Sequence, residues 1–155
     1  MKQNVNHVDH VVWVAHLDSQ AAHADKLGAL AGQSLEGPFD RTDLGVRIYM
    51  SWETGLEILS PLPNYDSDFN RMLVAALAER GEGVLAVVFG VPDLEEARER
   101  ARLAGYSPGD PIATAGDAPW DRKTSKFAES FVGDFLGSYF IYGEIAYAPG
   151  IVASV

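Results

Sequence analysis

Three side chains stand out because their type contradicts their surroundings. His10 opens the run His10-Val-Val-Trp-Val-Ala15, Glu57 interrupts Leu56, Ile58 and Leu59, and Glu144 lies between Tyr142 and Tyr147 in an otherwise apolar stretch. A carboxylate in such a run must face either solvent or a polar hollow, because burying it without a partner is costly. Two carboxylates facing one hollow with no cation between them repel, so one takes up a proton and can then serve as a general acid or base. For His10 the competing reading is a structural imidazole satisfied by a hydrogen bond. His7 near the terminus, His16 at a strand exit and His23 on a helix read as solvated or capping side chains. A second kind of chemistry lies in Trp120-Asp-Arg122-Lys-Thr-Ser-Lys126, where cations and a ring cluster in an acidic chain. Such a segment could close over a hollow and hold a substrate carboxylate or phosphate; a solvated loop is the alternative. Tyr106, Tyr139, Phe140 and Tyr142 either line a pocket or fill the core.

The elements that must position these groups occur twice. His10 to Ala15 is β-branched and aromatic and too short for a helix, which predicts a buried strand. Strand alternation puts His10, Val12 and Val14 on one face and Val11 and Trp13 on the other. Asp18 or Ser19 then caps a helix over Ala21 to Ala31 that stops at Gly32. Ser34 to Phe39 reads as an edge or irregular strand because of Gly37 and Pro38. Gly45 to Trp52 and Leu56 to Ser60 flank the turn Glu53-Thr54-Gly55 and predict a hairpin. In the second half, Val84 to Val91 is again a short apolar strand. Asp93 and Glu96 are spaced as a capping box for a helix reaching Gly105. A loop rich in Pro, Gly and Asp spans Ser107 to Pro119. Two strand-like runs, Phe131 to Phe135 and Tyr139 to Tyr147, then flank Leu136-Gly137-Ser138. Asn70 to Arg80 is a short amphipathic helix joining the halves. The pattern is an internal duplication: a first module over 1–65, a linker helix in 66–83 and a second module over 84–155, within one structural domain.

Composition limits what such a scaffold could serve. The chain has 155 residues, 47% of them apolar, and a formal net charge of −10. That is an ordinary globular composition whose charge repels phosphate backbones and anionic membranes, so no nucleic-acid or membrane partner is expected. With no Cys, any metal would sit on nitrogen and oxygen donors. The N-terminal residues show no apolar signal core and no run approaches a membrane span, so a soluble, cytoplasmic protein is expected.

The order and spacing of Val8-Asp9-His10-Val11-Val12-Trp13-Val14, Gly55-Leu56-Glu57-Ile58-Leu59-Ser60-Pro61, Arg80-Gly81-Glu82-Gly83 before a strand, and Pro92-Asp93-Leu94-Glu95-Glu96-Ala97 resemble the glyoxalase, or vicinal oxygen chelate, superfamily. The methylmalonyl-CoA epimerase-like branch is the nearest in flavour, and the likeness fails mainly across residues 107–130. The resemblance implies an α+β fold of two βαβββ modules whose sheets curl around a cavity, commonly with a divalent metal. Carried over position by position, the metal ligands are His10, Glu57 and Glu144. The second module's expected His falls on Ala86, or on Leu85 with a one-residue shift, and neither binds metal. One imidazole and two carboxylates suit Zn, Mn, Co, Ni, Fe or Mg, but the missing His argues against ring-cleaving iron dioxygenases.

The implied function is an epimerase, isomerase or lyase acting on a small carbonyl or acyl-thioester substrate. Glu57 or Glu144 would move the proton, and Trp120, Arg122, Lys126 and Tyr142 would contact the substrate. Two alternatives stay open: a metal-free small-molecule binder of the same fold, and a cofactor-free acid–base enzyme. The resemblance also implies a homodimer.

Overall fold

A computed structural model describes residues 6–151 of the chain. In chain order the elements are β1 (His7–Val14), α1 (Gln20–Ala31), β2 (Glu36–Arg41), β3 (Val46–Ser51), β4 (Leu56–Pro61), α2 (Asp68–Arg80), β5 (Gly83–Gly90), α3 (Leu94–Leu103), β6 (Thr124–Phe135) and β7 (Ser138–Tyr147). The fold is α+β, and its seven strands are hydrogen-bonded in the order β2-β3-β4-β1-β5-β7-β6. The chain divides into two compact units. One is Val12–Leu85; the other joins the described residues up to Val11 to those from Ala86 onward.

In the Val12–Leu85 unit, β2, β3 and β4 form an antiparallel meander. Its Glu36 to Arg41 strand lies at the sheet's edge, as Gly37 and Pro38 lead one to expect, because proline lacks the N–H an inner strand must donate. Helix α1 is seated by Gln20, fully buried, whose amide donates to the carbonyls of Arg47 and Ile58 at 2.9 Å each. Ala24 of α1 packs against Ala15 and Ile58, with Trp13, Leu27, Leu35 and Tyr49 around them. Since Ile58 and Tyr49 belong to this cluster, alternation sends their neighbours Glu57 and Met50 to the other face, where they sit opposite each other in the β3–β4 register. The expected cap of α1 differs in detail: Ser19 is the N-cap residue, yet its hydroxyl makes no capping bond and instead lies between two acceptors, the His16 carbonyl and the Glu82 carboxylate. Helix α2 begins at Asp68, two residues before the expected start, because the Ser67 hydroxyl accepts from Asn70 N–H at 2.9 Å. Gly45, at φ 66°, lies against the Tyr65 side chain, where a Cβ would clash.

In the other unit, β5 runs parallel to β7, and β6 pairs antiparallel with β7. Asp93 caps α3 through a 2.9 Å bond from Glu96 N–H, and α3 stops at Leu103, short of Gly105. Leu94, Ala97 and Ala101 of α3 bury against Val91, Val132 and Tyr142. The β6–β7 connection is the expected tight turn, with Leu136 at φ 52° and Gly137 at φ 87°. Two features depart from a βαβββ reading of this half. Strand β6 starts at Thr124 rather than Phe131. Between α3 and β6 the chain makes an isolated bridge from Ile112 to Glu129 and no full strand. Pro108, Pro111 and Pro119 in that stretch cannot donate to a ladder, which explains why no full strand forms there.

Candidate functional site

The β1 segment His7 to His10 carries three side chains that meet one another and residues of β6 and β7. Asp9 and His10 are almost wholly enclosed, with side chains 1% and 2% exposed. Asp9 Oδ1 lies 2.8 Å from His10 Nδ1 and accepts the Tyr147 hydroxyl proton at 2.6 Å, while Oδ2 lies 3.3 Å from His7 Nε2. His10 Nε2 in turn lies 3.3 Å from Oε1 of Glu129, whose side chain is 18% exposed. The His7 ring lies directly over Gly90 of β5, where a Cβ would force the ring to move.

The electrostatics follow from burial and these partners. Burial pushes the Asp9 carboxyl up, but the hydrogen bond and charge of His10, with the hydrogen bonds from Tyr147 and His7, hold it below the ordinary carboxylate range. Burial, then the Asp9 charge and hydrogen bond, then the Glu129 charge, raise the Tyr147 phenol far above its usual value, so it stays a donor. With an ionised Asp9 at Nδ1, that nitrogen carries a hydrogen and Nε2 is left facing Glu129. An unprotonated Nε2 and a carboxylate oxygen are both acceptors. At 3.3 Å the two face each other as a close polar contact, with no hydrogen bond made to the buried Oε1 of Glu129 among the described residues.

Of the residues expected from sequence, His10 enters this cluster and Glu144 does not. In the β6–β7 register Glu144 faces Ala128 while Glu129 faces Gly143, and alternation puts the two carboxylates on opposite faces of the ribbon. Glu144 instead pairs with Lys126 and accepts from Leu94 N–H at 3.2 Å, near the positive end of α3. Glu57 lies in the Val12–Leu85 unit, half-buried on β4. Trp120 is buried, Arg122 is exposed at a short 3₁₀ turn (Asp121–Lys123), and Lys126 is taken by Glu144. Tyr142 is part of the α3 core, with the Arg100 guanidinium 5.8 Å from its ring centre.

The residues present do not fit the expected divalent-metal set. Among the described residues no group of three or more His, Asp or Glu is arranged to hold an ion. His10 has Asp9 on one ring nitrogen and Glu129 on the other. The position where a second His is expected, Ala86, is a buried alanine pairing with Tyr139.

Asp9, Glu129 and Tyr147 are functional candidates that the sequence reading left unassigned. Glu129 had a signal: it lies between Phe127 and Phe131, two residues away on each side, the same contradiction of type and surroundings that singles out Glu57. Glu129 nevertheless falls outside the strand that the sequence predicts from Phe131 onward, whereas β6 begins at Thr124.

No protein-family model matches the chain, and no curated protein matches it. Solved structures do match. A hypothetical protein from Bacillus halodurans C-125 aligns with a TM-score of 0.67 at 19% identity, covering 90% of this chain and 94% of its own. A variant of Streptomyces coelicolor methylmalonyl-CoA epimerase, solved in complex with 2-nitronate-propionyl-CoA, aligns with a TM-score of 0.64 at 21% identity, covering 88% and 94%. The Mycobacterium tuberculosis methylmalonyl-CoA epimerase aligns with a TM-score of 0.63 at 17% identity, covering 92% and 88%. The likeness defines a class of fold, the glyoxalase or vicinal oxygen chelate fold. Within it, methylmalonyl-CoA epimerases are among the similar structures. No helix among the described residues is long and apolar enough to cross a membrane.

Proposed function

We propose that the protein is an epimerase- or isomerase-type enzyme that moves a proton at the carbon next to a thioester carbonyl, with Glu129 as the base and His10 as its proton partner. The observation that carries this reading is the His10–Glu129 pair, with the imidazole enclosed and the carboxylate partly open to solvent. Fold analogy to structures that bind acyl-CoA ligands supports the substrate class.

The proton balance is simple. In the active form a proton sits on His10, and Glu129 is a carboxylate. Glu129 takes the α-proton, and the C–H electron pair moves into the enolate, whose negative oxygen is matched by the imidazolium charge. Return of a proton from the pair to the same face of the enolate regenerates the starting thioester. Inversion requires the enolate to turn its other face to the pair before the proton returns. Exchange of the pair with water labels the product in either case.

The test incubates the chelator-treated protein in D2O with a panel of acyl-CoA thioesters bearing an acidic α-C–H, methylmalonyl-CoA included, and follows deuterium uptake by mass spectrometry. Uptake into at least one thioester is expected. Tight binding of panel members without any uptake would overturn the enzyme reading in favour of a binding protein.

A further inference from the structure

The Asp9–Tyr147 pair does nothing in the reaction just described, yet it joins residues 138 positions apart and encloses a carboxylate that would otherwise be costly to bury. We propose that Asp9 and Tyr147 are positioning residues that fix the tautomer and the ring orientation of His10, so that Nε2 alone exchanges protons with Glu129. This rests on the proposed proton-transfer reading.

Three distances carry the inference. Asp9 Oδ1 is shared by Tyr147 Oη at 2.6 Å and His10 Nδ1 at 2.8 Å, and His7 Nε2 approaches Oδ2 at 3.3 Å. The carboxylate is therefore surrounded by groups that hold it in one place and one orientation. An oxygen so placed accepts from Nδ1–H and cannot donate to it, which leaves the lone pair of the neutral ring on Nε2. His10 needs that constraint. A free imidazole interconverts between two tautomers, and the one with its hydrogen on Nε2 cannot take a proton from Glu129. The 2.8 Å contact between Asp9 Oδ1 and His10 Nδ1 also pins the ring at a defined angle instead of leaving it to rotate. Tyr147 acts one step further back, by fixing the oxygen that fixes the ring.

The decisive variant is Asp9→Asn, which keeps the shape and replaces an acceptor with an amide whose NH2 can donate to Nδ1 and reverse the tautomer. Two readouts separate the claims: the 15N spectrum of ring-labelled His10, which needs no turnover, and kcat against KM for α-deuterium exchange. In the wild type the neutral ring carries its hydrogen on Nδ1, and protonation adds the second hydrogen at Nε2. In Asp9→Asn the neutral ring's hydrogen moves to Nε2, kcat falls about 10²–10⁴-fold and KM is unchanged. Tyr147→Phe retains the Asp9 acceptor, so it keeps the wild-type tautomer, broadens its signal and lowers kcat by about tenfold; it also carries the test if Asp9→Asn does not fold. An unchanged tautomer and kcat in Asp9→Asn, or a loss confined to KM in Tyr147→Phe, overturns the inference. A wild type that shows the Nδ1–H tautomer but exchanges no thioester overturns the proposed function while leaving the Asp9 placement standing.

Discussion

Each compact unit holds a cluster of histidine, carboxylate and hydroxyl, and burial is what separates them. In one, Asp9 gathers His7, His10 and the Tyr147 hydroxyl, with the Asp9 and His10 side chains at most 2% exposed. In the other, Glu82 gathers the His16 backbone N–H at 3.0 Å, the Ser19 hydroxyl and His23 Nε2 at 2.7 Å, with the Glu82 and His23 side chains 32% and 39% exposed. Similar groups at similar distances give different consequences. Where water is excluded, each partner is needed to offset the burial of the next, and the geometry is rigid. Where water reaches the groups, it replaces any lost partner, and the same bonds tie α1 to the Arg80–Gly83 segment with little net effect.

The largest effect expected from breaking this contrast comes from Asp9→Ala. It leaves His10, His7 and Tyr147 without their shared acceptor and should lower unfolding free energy by about 3–5 kcal/mol in denaturant titration. Tyr147→Phe removes one charge-assisted bond and should cost about 1.5–3 kcal/mol by the same titration. Leu136→Asn should raise stability by about 1 kcal/mol in thermal melts, because leucine at φ 52° occupies a left-handed conformation that asparagine tolerates better.

The smallest effect is in the exposed cluster, where Glu82→Gln should change stability by no more than about 1 kcal/mol and less at high salt. Its pH signature is still readable. The Ser19 hydroxyl, the His16 N–H and His23 hold the Glu82 carboxyl down to about 2, from an ordinary 4.5. A depressed carboxyl stabilises the fold above its unfolded value, and the gain disappears as pH falls from about 4.5 towards 2. Comparing wild type with Glu82→Gln across that window should show the difference shrinking with acidification.

The repeat of strand, helix and hairpin was legible because it is written in local signals: apolar runs for β1 and β5, Asp93 before α3, Gly37-Pro38 at an edge, and Leu136-Gly137 at a turn. His10 was legible as a candidate for the same reason, a polar side chain opening an apolar strand. Its partners were not. Glu144 and Glu129 look alike in sequence, each a carboxylate among apolar strand residues. Which of them faces His10 depends on the β6–β7 register, where Glu144 opposes Ala128 and Glu129 opposes Gly143. Pairing register is a tertiary property, and a shift of one residue exchanges the faces. Tyr147 reaches Asp9 across almost the whole chain, which no local pattern announces.

The most direct measurement compares α-deuterium exchange in Glu129→Gln and Glu144→Gln on the thioester the wild type labels fastest. A loss of about 10²–10⁴-fold in Glu129→Gln, with Glu144→Gln within a few-fold of wild type, is what the His10–Glu129 pair requires. Loss in Glu144→Gln with exchange retained in Glu129→Gln would contradict it.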